Sequence, residues 1–394
     1  MKKFIVLIAM MLITALSLTL FACEAEDNSC QHKIVEVPAV AAGCETEGHI
    51  AYERCSKCNA ILVDGVEKER ADVTISPIGH NPVATDYFDA DHHYAKTVAC
   101  DRDGCEYTDI YQTIHIATAD DLMNLAADLT ASKDLGCYNI EFVNDIDLTG
   151  KTWTPIDLSG TRNNYLYTKH PIVIDGGNHI ILNLSTGTLS GGDAGFFGRM
   201  WEAIDVEIKN LTLKNANIYA TAVSEPTQNA VGGFIGMIDS INSLKMTNCK
   251  LENSTVEGGN WAGGLYGYLA GYDNGVHHDL HKCVVEIDGC SVIGSTIKSK
   301  GSVGSAIGHA AGNEYNQIAL KNSVFKNNTI TCTSTSTNKA GKILGTNHEA
   351  KLTITNCTVE NVTATSGSTV IDRIYGRLAG NGVLTVDGVV ITES

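Results

Sequence analysis

A two-part pattern recurs through the second half of this 394-residue chain and restricts its possible folds more than any other feature. The first part is a four-residue segment that is apolar at its first position and has Asn or Gly at its third. Those third positions are Asn210, Asn248, Gly289, Asn322, Asn356 and Gly388, spaced 38, 41, 33, 34 and 32 residues apart. The second part keeps pace with the first, at residues 195–198, 233–236, 264–267, 305–308 and 342–345. Two patterns in step indicate one structural unit per repeat.

Each repeat consists of short alternating segments separated by Asn and Gly, and none contains a helical pattern. Such a unit cannot bury its apolar face unless neighbouring repeats stack on it. The pattern therefore predicts an all-β fold, a parallel β-helix in which equivalent residues stack about 4.8 Å apart. The recurring Asn and Gly would form corners with unusual backbone angles or side-chain hydrogen bonds. A β-propeller is the alternative because its blades have a similar length, but the Asn-Cys and Gly-Cys pairs favour the coil.

One helix is predicted in the region 111–394 that we assign to the β-helix. Thr118 is a suitable N-cap residue, and Asp121 completes a capping-box pattern three residues later. One face of the following segment is apolar, and it carries Leu122, Leu125, Ala126 and Leu129. We expect the helix at 118–130 to cap the end of the coil, where unpaired strand edges would otherwise promote aggregation.

Three cysteines occupy one position of the repeat, and two apolar residues share it. The five residues are Leu211, Cys249, Cys290, Cys357 and Val389. Cysteine without a partner often behaves as a small buried hydrophobic residue. We therefore expect this column to be a buried ladder of small apolar side chains and not a row of metal ligands.

A segment rich in cysteine and histidine precedes the repeats, and we assign residues 23–110 to it. Cys44, the Cys55-x-x-Cys58 pair and His80 are metal-ligand residue types, and a Cys-x-x-Cys turn lets two thiolates reach one ion. These four residues predict a structural zinc site, with His32 as the alternative to His80. Disulfides are the competing interpretation for an exported protein, pairing Cys30 with Cys44 and Cys55 with Cys58. A second, degenerate copy follows, with His92, His93, Cys100 and Cys105.

The first 22 residues have the order of a signal peptide. Lys2 and Lys3 precede an apolar stretch, and the segment ends in Ala22 followed by Cys23. A transmembrane anchor is the alternative, because the apolar stretch approaches the roughly 20 residues that a spanning helix needs. We expect cleavage before Cys23 and lipid attachment to its thiol, which would hold the protein on the outer side of a membrane.

Charge excludes one class of partner. The chain has a formal net charge of -17 and no basic tract, so nucleic-acid binding is not expected. The apolar fraction of 43% is sufficient for a sizeable core.

Three resemblances to known families follow from these segments. Residues 20–23 resemble the lipobox of bacterial lipoproteins. Residues 41–48, 52–58 and 78–80 resemble a short module of surface proteins of gut Firmicutes, which implies a small accessory unit without catalysis. Residues 145–148, 153–156, 175–181, 194–198 and 208–213 resemble the GLUG-motif family of bacterial surface proteins. That resemblance implies a right-handed β-helix and an adhesin-like role, although Ser305 and Lys342 replace the first glycine of the later repeats.

A cluster of aromatic residues provides the candidate ligand site. Trp261, Tyr266, Tyr268 and Tyr272 lie close together in sequence and could stack on a sugar ring. Strand alternation also explains them as core and edge residues. The nearby histidines of residues 277–281 are either metal ligands or part of a solvated loop.

Catalytic residues are not predicted. β-Helix enzymes that cleave polysaccharides need carboxylates that converge on one exposed face. Asp145, Asp147, Asp175 and Asp205 are candidates by residue type, but no Asp or Glu recurs on successive repeats. We therefore expect a non-catalytic, adhesin-like protein of the bacterial cell surface that binds an extracellular glycan or protein. A carbohydrate-cleaving enzyme and a purely structural stalk are the alternatives.

Overall fold

The computed structural model describes most of the chain in two compact units. The described residues are 33–80, 82–83, 97–100, 102–110, 113–131, 138–158, 172–187, 189–190, 192–201, 205–221, 229–239, 241–270, 283–312, 316–334 and 339–392. The first unit contains the described residues up to Val83 together with Ala99–Thr108. The second contains the described residues from Asp109 onward, with Thr97 and Val98.

The first unit is built from short antiparallel strands with a small core. A four-stranded sheet has the order Ile34–Val37, Tyr52–Cys55, Ile61–Val63, Val66–Lys68. Gly48–His49 pairs with Thr74–Ile75, Arg70–Val73 is helical, and Pro82–Val83 pairs antiparallel with Ala99 and Cys100. Among the apolar side chains described in this unit, Cys55, Val73 and Cys100 are the buried ones. Three buried residues stabilise a domain weakly, since small units bury too little surface to fold firmly without a metal or disulfides.

The second unit is a parallel β-solenoid, which confirms the predicted fold class and excludes the propeller. Its strands form five parallel sheets, which we number in the order that the chain visits them within one turn. Sheet 1 contains Ile114–Ile116, Asn139–Phe142, Ile172–Asp175, Asp205–Lys209, Ser243–Thr247, Val284–Asp288, Gln317–Lys321, Lys351–Thr355 and Val383–Val386, and Val389–Ile391 joins it antiparallel. Sheet 2 contains Ile146–Asp147, Ile180–Leu182, Thr212–Lys214, Lys250–Glu252, Ser291–Ile293, Val324–Lys326 and Thr358–Glu360.

The remaining three sheets complete each turn. Sheet 3 contains Leu189–Ser190, Asn217–Thr221, Thr255–Gly258, Thr296–Ser299, Thr329–Cys332 and Thr363–Ser366, with Thr369–Val370 antiparallel at its end. Sheet 4 contains Ala230–Gly232, Trp261–Gly263, Ser302–Gly304 and Ala340–Gly341. Sheet 5 contains Ile156–Asp157, Phe197–Trp201, Ile235–Asp239, Tyr266–Ala270, Ile307–Ala310, Leu344–His348 and Tyr375–Ala379.

The strand register follows the two-part sequence repeat. In sheet 1 the first residues of the Asn/Gly segments stack in the order Ile208, Met246, Ile287, Leu320, Ile354 and Val386. In sheet 5 the third residues of the second pattern stack in the order Phe197, Ile235, Tyr266, Ile307 and Leu344. Each repeat therefore makes one turn, as the sequence predicts.

The Asn and Gly residues form the predicted corners. From Asn210 onward the positive-φ residues between sheets 1 and 2 are Asn210, Asn248, Gly289, Asn322 and Asn356, and the corners between sheets 2 and 3 have Asn183, Asn215, Asn253, Gly294, Asn327 and Asn361. Their φ angles lie between 49° and 64°. Among residues with a side chain, Asn adopts this left-handed conformation at low cost, and Gly adopts it freely.

The corner side chains also bond to one another along the coil. The Asn356 amide donates to Asn322 Oδ1 at 2.8 Å, and the Asn322 amide donates to Asp288 Oδ1 at 2.7 Å. The same arrangement joins Asn361 to Asn327 at 3.2 Å at the next corner. These ladders hold successive turns in register, since a shift of one residue would break the bonds of that corner.

The predicted ladder of small side chains is confirmed over its first part. Leu211, Cys249 and Cys290 are completely buried. The Cys249 amide donates to Cys290 Sγ at 3.4 Å, so the cysteine side chain also satisfies a corner backbone group. Cys357 is half-buried, and Val389 is 62% exposed. The prediction is wrong for Val389 because this residue lies in the antiparallel strand that ends sheet 1 and not in a further turn.

The predicted helix is confirmed as Ala119–Thr130, with Thr118 as its N-cap. The Asp121 amide donates to Thr118 Oγ1 at 3.2 Å, and the Thr118 amide donates to the Asp121 carboxylate at 2.8 Å. The expected apolar face is buried in the core of the solenoid, against strands Ile114–Ile116 and Ile156–Asp157. No helix of the described part of the chain has both the length and the apolar character to cross a membrane.

Replacing Asn322 by Ala tests the corner conformation. Because φ is 50° at this position, a Cβ without a compensating amide should lower the free energy of unfolding by about 1–2 kcal/mol. Asn322→Gly is the matched control: it loses the ladder bonds but accepts the backbone angle, so its loss should be smaller. Urea unfolding of both variants measures the difference, and equal losses would contradict a role for the backbone angle.

Candidate metal centre and aromatic face

Four side chains of the first unit converge on one point. The Sγ atoms of Cys44, Cys100 and Cys105 and a ring nitrogen of His80 all lie within 4.8 Å of one another. Cys44 Sγ is 3.7 Å from Cys100 Sγ, and Cys105 Sγ is 3.4 Å from His80 Nδ1. Zinc–sulfur bonds of about 2.3 Å at tetrahedral angles place two thiolate sulfurs about 3.8 Å apart. The group therefore has the ligand types and spacing to hold one tetrahedral metal ion.

Backbone hydrogen bonds bring the ligand-bearing segments together. The Ile78 amide donates to the Gly43 carbonyl and the Gly79 amide to the Cys44 carbonyl, both at 3.0 Å. These bonds fix Cys44 beside His80, and Gly79 has the positive φ of 72° that the bend before His80 requires. The Arg102 guanidinium donates to the carbonyls of Ile78 and Gly79, which attaches the segment that carries Cys105.

His80 is oriented by two neighbours. Its Nε2 atom lies 2.9 Å from Glu45 Oε1, and its ring stacks on Tyr107 with centroids 3.8 Å apart. The hydrogen bond to the Glu45 carboxylate raises the pKa of His80 above its ordinary value. A carboxylate on the far nitrogen of a ligating histidine fixes the ring and directs the other nitrogen to the metal. His80 Nδ1 is thus the nitrogen available as a ligand.

The metal-free Cys105 thiol is protonated at neutral pH. A hydrogen bond from the Tyr107 backbone amide lowers the pKa of Cys105, but lost hydration and the adjacent Cys44 and Cys100 outweigh it and raise that pKa to about 11. A bound cation reverses this effect, since thiolates are the form that coordinates metal.

The four residues that converge in the structure share two members with the four metal ligands predicted from the sequence. Cys44 and His80 are present, whereas Cys100 and Cys105 stand in place of Cys55 and Cys58. Cys55 is buried at the end of its strand and Cys58 is exposed, and neither belongs to the group. The difference arises because Ala99–Thr108 folds into the first unit, so the second Cys pair completes the site of the first copy. The sequence did contain a sign of this second ligand pair: an Arg-Asp-Gly turn directly precedes Cys105, and Gly104 in that turn has a φ angle of 77°.

No disulfide joins any two of the cysteines that the structure describes. The 3.7 Å between the sulfurs of Cys44 and Cys100 is far longer than the roughly 2.05 Å of a disulfide bond. Cys30, His32, His92 and His93 lie outside the described residues.

The second candidate site lies on the outer surface of the solenoid, where sheet 4 meets sheet 5. Trp261 of sheet 4 stacks on Tyr268 of sheet 5, with ring centroids 4.0 Å apart and planes 12° from parallel. Both rings are half-buried. His309, the partner of Tyr268 on the next turn, meets both rings edge-on at 5.6 Å and 5.3 Å. We call Trp261, Tyr268 and His309 the aromatic face.

A cavity of about 490 Å³ adjoins this face. Its described lining comes from three successive turns and consists of Asn260, Trp261, Lys300, Gly301, Thr333, Ser334 and Lys339. The volume lies within the roughly 300–1,000 Å³ of typical small-molecule sites. Two amines, an amide, two hydroxyls and an indole thus surround a space large enough for part of a ligand.

Two of the four predicted aromatic ligand residues belong to the aromatic face. Tyr266 does not, because it is completely buried in the core. Strict alternation would place Tyr266 and Tyr268 on the same side, but Gly267 interrupts it. A Cβ at Gly267 would lie 2.7 Å from the Val231 amide nitrogen, so only Gly permits this bend. Tyr272 and residues 277–281 lie outside the described residues, as does Cys23.

The four acidic residues considered for catalysis serve the corners of the coil. Asp145 accepts from the Ile180 amide, Asp147 from Thr149, Asp175 from the Gly177 amide, and Asp205 from the Ser243 hydroxyl. The Ile180 amide lowers the pKa of Asp145, and the Thr149 hydroxyl lowers that of Asp147. These carboxylates accept hydrogen bonds that stabilise the coil.

Comparison with known proteins gives little beyond the fold described above. No model of a known protein family matches the chain, and no curated protein matches it. A solved structure, that of a putative immunoglobulin A1 protease from Bacteroides ovatus, aligns with 72% of this chain and 79% of its own, at 19% identity and a TM-score of 0.34. At that TM-score the likeness carries no argument about function.

His309 gives a pH-dependent prediction. Burial, followed by the charges of His348, Lys339 and Arg377, lowers the pKa of His309 to about 3, and neither ring nitrogen has a hydrogen-bond partner among the residues that the structure describes. In the unfolded chain His309 is protonated as pH falls below about 6.5, whereas in the folded chain it stays neutral until about pH 3. The free energy of unfolding therefore falls as pH drops from about 6.5 toward 3.

His309→Phe should remove this acid sensitivity. The wild type should lose about 1.4 kcal/mol per pH unit below 6.5 relative to the variant, seen as a widening gap between their melting temperatures from pH 7 to pH 5. Parallel melting curves across that range would show that His309 titrates normally.

Proposed function

We propose that this chain is a lipid-anchored protein of the bacterial cell surface whose solenoid binds an extracellular glycan without cleaving it. The observation that carries the proposal is the stacked pair of Trp261 and Tyr268 beside the cavity of about 490 Å³. An aromatic ring offers a flat apolar surface on which the C–H face of a sugar packs. A purely structural stalk has no use for such a surface.

The aromatic pair is rigid before any ligand binds. Trp261 lies against Tyr268, and both residues belong to strands that are paired on each side by neighbouring turns. Rings held in place lose little conformational entropy on binding, so more of the contact energy contributes to affinity.

The surroundings of the cavity favour binding over cleavage. Its described lining contains no carboxylate, whereas glycoside hydrolysis uses two carboxyl groups within about 10 Å of each other. Asp145 and Asp175, at the corners of sheet 1, already accept hydrogen bonds from backbone and side-chain donors. Protein ligands are a second class of partner, and the absence of binding to any glycan on the array described below would favour them.

The membrane anchor rests on the sequence of residues 1–23 alone. A basic start, an apolar stretch and Ala22-Cys23 form the export and lipidation signal. The resemblances to the GLUG-motif family and to a surface module of gut Firmicutes support the same location.

A glycan array probed with purified residues 24–394 tests the proposed function. We expect binding to a subset of glycans with no release of sugar ends, and at least a tenfold loss of affinity in Trp261→Ala, as for aromatic residues that dominate an interface. Trp201→Ala, at a half-buried tryptophan of sheet 5, is the matched control and should bind normally. Released product would support an enzyme, and equal loss in both variants would argue against a site at Trp261.

We also propose that the Cys44, His80, Cys100 and Cys105 group binds zinc as a structural ion. Three cysteines and one histidine form a closed donor set typical of structural zinc and leave no open position for catalysis. The small core of the first unit supports this role, because metal binding then supplies much of the folding free energy.

Cys105→Ser tests the zinc site. It should lower the zinc content by one ion per chain, measured by mass spectrometry of purified protein, and should destabilise the first unit because one ligand is lost. Cys357→Ser, at a half-buried cysteine of the solenoid, is the control and should leave the zinc content unchanged. A metal-free wild type that folds normally with its cysteines oxidised would contradict the proposal.

A further inference from the structure

We infer that the glycan bound at the aromatic face is acidic, with a carboxylate or sulfate group held by Lys300 and Lys339. This inference rests on the proposed function and specifies its ligand class. Lys300 and Lys339 come from adjacent turns and both line the cavity beside Trp261. Lys300 is exposed and Lys339 is half-buried.

Among the described residues, Lys300 and Lys339 lack the acidic neighbour that seven lysines of the solenoid have, a feature they share with Lys250, Lys321 and Lys351. Elsewhere, lysines pair with acids on an adjacent turn: Lys245 lies 3.5 Å from Glu207 and Lys326 lies 2.8 Å from Glu360. Lys298, two residues before Lys300, lies 2.5 Å from Glu257. Within the described chain, no carboxylate lies within ion-pair distance of Lys300 or Lys339. Their charges are therefore available to a ligand.

The local charge runs against that of the whole protein. The chain carries a net charge of -17, yet the described lining of the cavity has two positive groups and no negative one. Burial is the main cause of the lowered pKa of the neighbouring His309, and the charges of His348, Lys339 and Arg377 add to it. A positive cavity on an acidic protein attracts an anion selectively, because the rest of the surface repels it.

The remaining lining residues suit a sugar more than a simple anion. Asn260, Thr333 and Ser334 offer amide and hydroxyl groups that match sugar hydroxyls. Trp261, which also lines the cavity, supplies an apolar surface. A free phosphate or sulfate ion would reach the amines but gain nothing from the indole, so an acidic sugar uses the whole site.

Binding titrations with paired oligosaccharides test the inference. The two members of a pair have the same sugar backbone, one neutral and the other carboxylated or sulfated. Three proteins are compared: the wild type, the Lys300→Gln/Lys339→Gln double variant and the Lys250→Gln variant. Lys250 is an exposed lysine of sheet 2 outside the cavity lining, and its variant controls for the loss of a positive charge elsewhere on the surface. We expect the wild type to prefer an acidic form at least tenfold, as for a charge-assisted hydrogen bond. The double variant should lose that preference, and Lys250→Gln should keep it.

The outcomes separate the inference from the proposed function. Equal affinity of the wild type for neutral and acidic forms, with loss in Trp261→Ala, would overturn the acidic ligand and keep glycan binding. No binding of any glycan would overturn both. Preference for the carboxylated or for the sulfated form would identify the acidic group, and its weakening at high salt would support ionic contact.

Discussion

Each turn of the solenoid depends on corners where one residue takes a left-handed backbone conformation. Asn and Gly occupy these corners because other side chains pay a steric cost there. Hydrogen bonds between corner amides on successive turns, such as Asn356 to Asn322, then hold the register. With the register held, the apolar residues of each turn stack into one continuous core, and no turn could bury that surface alone.

The same stacking builds the candidate ligand site. Trp261, Lys300 and Lys339 are far apart in sequence, but each sits at the start of sheet 4 or in the corner before it, on three consecutive turns. A spacing of about 4.8 Å between turns brings them to the edge of one cavity. The segments between sheets 3 and 4 and the start of sheet 4 hold the exposed Lys300 and the half-buried Trp261 and Lys339 outside the core. A ligand site can therefore form there without loss of the fold.

Sequence reasoning recovered the solenoid because its contacts repeat at a nearly constant spacing. The Asn/Gly segments predicted the register of sheet 1, and Thr118 with Asp121 predicted the start of the helix. The two sites were harder to predict because they depend on local features that do not recur with the repeat. The bend at Gly267 put Tyr266 in the core, and the return of Ala99–Thr108 to the first unit exchanged two members of the expected metal group. The charge of the cavity was not foreseen, because Lys300 and Lys339 carry no motif.

The central claim is that the solenoid holds a sugar against Trp261. A crystal structure of residues 24–394 with the glycan that binds most tightly on an array tests it most directly. We predict a sugar ring stacked on the exposed face of Trp261, with its acidic group between Lys300 and Lys339. A glycan bound elsewhere on the protein, with the cavity occupied only by water, would contradict it.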